Sequence, residues 1–94
     1  MLRHVVCQKF ADKADAIEAA KMLRALPGQI PELISAEVGV NELSSERAFD
    51  LILIATFENV EALHAYDAHP AHQACRAFIK PRRIATCSVD YTVE

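Results

Sequence analysis

Two hydrophobic periods, one of strands and one of helices, divide the chain. His4 to Phe10 (HVVCQKF) and Phe49 to Glu58 (FDLILIATFE) are strand-length runs of β-branched and aliphatic residues, the second the stronger. Leu33 to Glu42 (LISAEVGVNE) and Ile84 to Val93 (IATCSVDYTV) read as two further strands, the first tolerating Gly39. Between the first two strands, Ala16, Ala19 or Ala20, Leu23 and Leu26 recur at helical spacing and form an apolar face suited to a flat surface. Asp12 or Asp15 caps this helix, and Leu26-Pro27-Gly28 stops it. The polar stretch from Asn41 to Arg47 is a turn. Asn59 caps a helix from Val60 to about Asp67, with Glu61 in its first turn. Pro70 opens another helix that runs to Ile79 and ends at Pro81.

The resulting order, β-α-β-β-α-β, predicts an α+β domain of the ferredoxin-like type occupying residues 1–94 as a single unit. The third strand adds a constraint. Phe49, Leu51, Leu53, Ala55 and Phe57 point one way, while Ile52 and Ile54 point the other, joined by Val5, Cys7, Cys87 and Val89. A sheet wet on one face alternates apolar with polar, and this one is apolar on both. One chain has helices for one face only. A second copy is therefore expected to cover the open face, giving a homodimer in which two four-stranded sheets close a barrel. The alternative is a scatter of exposed aliphatic side chains.

Composition narrows the function classes. The chain is 52% hydrophobic and 24% charged with a net charge of −3, so it offers no basic stripe to nucleic acid or anionic lipid. The longest apolar run, Leu51 to Ala55, is far below the ~20 residues of a membrane span. The N-terminus enters strand-like sequence directly, which predicts no secretory leader and a cytoplasmic protein. Three cysteines, Cys7, Cys75 and Cys87, are widely spaced with no Cys-x-x-Cys pair, so they read as reduced, small hydrophobes.

Three of the four histidines crowd into Leu63-His64-Ala65-Tyr66-Asp67-Ala68-His69-Pro70-Ala71-His72. Glu61 and His64 have the spacing of one half of a di-iron motif, but no second half exists and a solvated helix face is the simpler reading. His69 and His72, with His4 as a third ligand, are a metal-site alternative. The reading without a cofactor pairs a tyrosine and a histidine beside an apolar cleft as proton donor and proton acceptor. Phosphate-binding glycine loops and nucleophile elbows are absent.

The chain resembles the stress-responsive A/B barrel (Dabb) family over nearly its whole length. The resemblance rests on Arg3-His4-Val5-Val6 with Lys9-Phe10, on Thr56-Phe57-Glu58, on the block Tyr66-x-x-His69-Pro70-x-His72 and on the closing Asp90-Tyr91. It implies a dimeric α/β barrel of ferredoxin-like units. The thiols are far apart and the histidines too few on any one helix turn for a closed ligand set, so no metal or organic cofactor is expected. In a branch resembling olivetolic acid cyclase, the tyrosine and last histidine of the block act on the substrate in a cleft between sheet and helices. Carried over, those roles fall on Tyr66 and His72, with His4 on the first strand and His69 lining the same cleft. Strand parity adds Val6, Gln8, Leu51, Leu53, Thr86 and Ser88 to that face, and Cys75, Arg76 and Ile79 share a side of the last helix with His72. Gln8, Thr86, Ser88 and Arg76 make this lining too polar for an alkyl chain. The expected ligand is a small polar carbonyl compound, anionic if Arg76 grips a carboxylate. Three classes stay open: a cofactor-independent lyase, cyclase or isomerase, a non-catalytic stress-related binding protein, and a metal-binding or monooxygenase-like barrel.

Overall fold

The computed structural model describes residues 1–93 and contains β1 (Leu2–Phe10), α1 (Lys13–Arg24), β2 (Ser35–Val40), β3 (Leu51–Phe57), α2 (Val60–Ala68), α3 (Pro70–Ile79) and β4 (Arg83–Thr92). The four strands form one antiparallel sheet in the order β2-β3-β1-β4. This is the ferredoxin-like topology, with the most apolar strand, β3, and the first strand at its centre.

Each helix begins where a side chain satisfies a free main-chain N–H. Asp12 accepts from the Ala14 N–H at 2.9 Å, and Asn59 accepts from the Ala62 N–H at 2.9 Å. Asp15, the other candidate cap, lies in the first turn of α1, where its charge complements the helix dipole. That helix ends at Arg24 rather than Leu26, and Gly28, at φ 91°, turns the chain in the left-handed region. β2 is shorter than expected: Leu33 is buried ahead of the strand, and pairing stops at Val40. β1 begins two residues earlier, at Leu2, because its end is paired on both sides.

The core lies between the sheet and the helices. Ala16, Ala19 and Ala20 are fully buried and bring α1 close to the sheet, where Leu51, Leu53, Ala55 and Phe57 meet it. The opposite face carries Ile52 and Ile54, with Val5 opposite Ile54 and Cys7 opposite Ile52. Among the described residues no helix covers it. On β4 the same face presents Cys87, Val89 (63% exposed) and Tyr91. No helix among the described residues is long and apolar enough to cross a membrane.

Candidate active site

The break between α2 and α3 shapes the site. His69 has extended backbone (φ −66°, ψ 137°), and its Nδ1 accepts from the Ala71 N–H at 3.0 Å, capping α3. Pro70, in the first turn, has no N–H to satisfy. The restarted helix swings His72 toward the sheet. There the His72 Nδ1–H donates to the Asp67 carbonyl at 3.1 Å, one of the carbonyls that the end of α2 leaves free. A carbonyl only accepts, so the proton sits on Nδ1 and Nε2 keeps its lone pair.

His72 and Tyr66 are stacked with ring centroids 4.4 Å apart and planes tilted by 45°. Phe57 supports Tyr66 from behind with an edge-on contact at 5.0 Å. Tyr66 and His72 form one wall of a cleft of about 170 Å³. Val6, Gln8 and Leu53 supply its floor from the sheet, joined by His4. Leu23, Cys75, Arg76, Ile79 and Arg83 complete the lining. His4 is held through Nδ1 by the carboxylate of Asp90, its partner across the strand pair.

Burial sets the electrostatics. It pushes the Tyr66 hydroxyl well above its usual pKa, with Cys75 and Asp67 adding to the effect. His72 is lowered, chiefly by burial and further by Arg76 and His4, against the opposing pull of the Asp67 carbonyl and charge. Burial also raises the Cys75 thiol, which keeps it inert. At neutral pH the pair is therefore a protonated tyrosine beside an unprotonated imidazole. The Tyr66 residue is 1% exposed, and its hydroxyl has no hydrogen-bond partner among the described residues. An orphaned buried hydroxyl opposes folding by about 1–3 kcal/mol, so Tyr66 carries an unmet hydrogen-bonding group beside the cleft.

Of the residues singled out in the sequence, the fold brings His4, Val6, Gln8, Leu53, Tyr66, His72, Cys75 and Arg76 to this cleft. Leu51, His69, Thr86 and Ser88 are not among its lining residues: Leu51 is buried in the core, and the Thr86 hydroxyl donates to the Cys7 carbonyl at 3.3 Å. His69 turns its ring back onto its own helix as a cap, and Ser88 shares the face of His4 but lies exposed on the edge strand. Among the described residues no group of three His, Cys, Asp or Glu side chains is arranged to hold a metal. His69 and His72, which have ligand spacing, both engage the main chain through Nδ1.

Two lining residues, Leu23 and Arg83, lie outside the set that the sequence pattern places here. Helical spacing puts Leu23 only on the packing face of α1. For Arg83 the reason is sharper. Strict alternation from Thr86 would put Ile84 on the cleft face and Arg83 on the other. The β1–β4 register instead slips between Lys9 and Phe10, so that Phe10 pairs with Arg83. The bulge carries Arg83 into the cleft and leaves Ile84 62% exposed.

The family model described as the stress responsive A/B barrel domain matches residues 2–93. The chain belongs to this family. An uncharacterized protein of Streptomyces coelicolor is 33% identical to this A/B barrel protein over 79 residues, 79% of this chain and 81% of its own. A dimeric ferredoxin-like protein of unknown function from Thermobifida fusca superposes with a TM-score of 0.85 at 24% identity, covering 98% of this chain and 90% of its own. The hydroxynitrile lyase of Passiflora edulis is similar in structure at a TM-score of 0.82 and 14% identity, covering 99% and 93% of the two chains. At these identities the solved structures establish the fold of the A/B barrel protein and leave its chemistry to the site.

Proposed function

We propose that this A/B barrel protein catalyses cofactor-independent proton transfer on a small polar carbonyl compound, in the manner of a lyase, cyclase or isomerase. One observation carries the reading: the Asp67 carbonyl fixes the His72 tautomer while the ring stacks on a buried tyrosine whose hydroxyl has no protein partner. A base needs a free lone pair, a fixed direction and a pKa near or below neutrality, and His72 has all three. His72 Nε2 removes a proton from carbon next to the carbonyl. The C–H electron pair moves toward the carbonyl oxygen, and the Tyr66 O–H donates a hydrogen bond to the charge that develops there. Tyr66 suits this role because burial keeps it protonated. That a hydroxynitrile lyase shares the fold is compatible with this reading without choosing the reaction, since one fold hosts many chemistries.

The working unit in this reading is a homodimer joined through the open sheet face. Its support is the row Val5, Ile54 and Val89, three aliphatic side chains across adjacent strands with no helix over them among the described residues, and the dimeric state of the Thermobifida fusca relative. The three free cysteines fit a reducing compartment such as the cytoplasm. The test of the chemistry is solvent deuterium exchange, followed by proton NMR, at the carbon next to the carbonyl in a set of small ketones, keto acids and keto esters. Wild type is expected to accelerate exchange in at least one of them. His72→Ala should lower that rate about 10²–10⁴-fold. Full exchange in both His72→Ala and Tyr66→Phe would overturn the assignment, leaving the non-catalytic binding protein as the better reading.

A further inference from the structure

The cleft has two chemically different ends. His72 and Tyr66 stand at one, near His4. Gln8 and Arg83 stand at the other, four residues further along β1, or about 13 Å of strand. Arg76 lies between them, one turn along α3 from His72.

The far end offers donors only. Gln8 is 6% exposed, and its Oε1 accepts from Arg83 Nη1 at 3.3 Å. That bond turns the Gln8 amide nitrogen into a donor facing away from Arg83. Among the described residues neither Arg76 nor Arg83 is in a salt bridge, and the cleft lining contains no carboxylate. The lining thus holds two guanidinium groups inside a chain of net charge −3. A surface that only needed solubility would not bury a glutamine to position an arginine, nor use a β-bulge to turn that arginine inward at the expense of Ile84.

We infer that the substrate of the proposed reaction is a small oxo acid, its carboxylate held by Arg76, Arg83 and the Gln8 amide and its carbonyl under Tyr66 and His72. The inference rests on the acid–base reading of that pair and adds to it a substrate class and an orientation. Arginine is the fitting residue, because its planar fork meets a carboxylate with two parallel hydrogen bonds. The cleft of about 170 Å³ suits a short-chain acid, with enough carbons between carboxylate and carbonyl to reach from the arginines to the tyrosine–histidine pair. The bound carboxylate takes no part in bond making. It fixes which carbon faces His72 Nε2.

The experiment compares levulinate, 5-oxohexanoate and 6-oxoheptanoate, whose carboxylate and carbonyl are set apart along the chain, each against its own methyl ester, by titration followed in two-dimensional NMR of the protein. At least one acid should bind tenfold or more tightly than its ester, with shifts at Gln8 and Arg83. Arg83→Gln and Arg76→Gln should each remove that preference, Arg83→Lys should restore part of it, and His72→Ala should keep it. If no acid outbinds its ester, including the case in which nothing binds, the inference is overturned. Deuterium exchange separates the two readings. Exchange that is equally fast in acid and ester sinks the carboxylate pole and leaves the acid–base pair standing. Tight, charge-dependent binding with no exchange leaves the pole standing and sinks the pair.

Discussion

His72 is the residue at which stability and function should respond to pH together. Its folded pKa lies below the ~6.5 of a free imidazole because burial disfavours the charged ring. As pH falls, the unfolded chain takes up its proton first. Stability contributed by the neutral ring is present above pH ~6.5, declines as pH drops toward the folded pKa, and is flat below it. Urea unfolding between pH 7 and 5 should show this decline in wild type and a shallower one in His72→Gln. The catalytic profile follows the same group: exchange activity should rise through a pKa below 6.5 and reach a plateau. No alkaline fall from Tyr66 is expected near pH 10, since burial raises that hydroxyl. An acid limb centred above 6.5 would contradict the burial argument.

At the scale of elements, the junction of α2 and α3 decides whether the site exists. Histidine is an unusual N-cap, and His69 fills the role through Nδ1 where serine, threonine, aspartate or asparagine would be usual. Replacing it with alanine should destabilise the fold by about 1 kcal/mol, with asparagine restoring most of the loss. For a domain of this size that corresponds to a melting temperature about 4–6 °C lower. Calorimetry of the two variants checks it, and equal melting of His69→Ala and wild type would show that the cap contributes nothing. The bulge at the start of β4 matters in the same way, since it selects Arg83 over Ile84 for the cleft.

For the whole molecule, the open sheet face decides the assembly. Val5, Ile54 and Val89 lie side by side across β1, β3 and β4, and Tyr91 extends the patch along the edge strand. Gly39 opposes Ile52 there, and a Cβ on it would come within 3.3 Å of the Ile52 side chain. Sedimentation at micromolar concentration should give twice the 10.4 kDa chain mass. Val89→Glu places a charge on a side chain that a single chain leaves exposed, so it should yield a folded monomer. Ile54→Glu, nearer the centre of the sheet, should abolish dimerisation or folding. A wild-type monomer, or a dimer that survives Val89→Glu unweakened, would contradict this assembly.

Much of this arrangement is already written in local sequence. Asn59 and Pro70 set two helix starts, Pro81 closes the last helix turn, and the alternation of Leu51 to Phe57 separates a covered face from an open one. Period and capping depend on neighbours within a few residues, so they can be read along the chain. The block from Tyr66 to His72 was legible for the same reason, with both residues flanking one helix break. Tertiary structure alone decided the rest. Asp90 meets His4, 86 residues away along the chain, only because β1 and β4 pair in one register. His69 leaves the cleft because its ring finds a nearer partner in the Ala71 N–H, a choice that spacing does not reveal. Arg83 enters because one extra residue is absorbed between β1 and β4, and a single-residue slip exchanges the two faces of a strand. The sequence determines which residues alternate, but the pairing partner determines where alternation is broken.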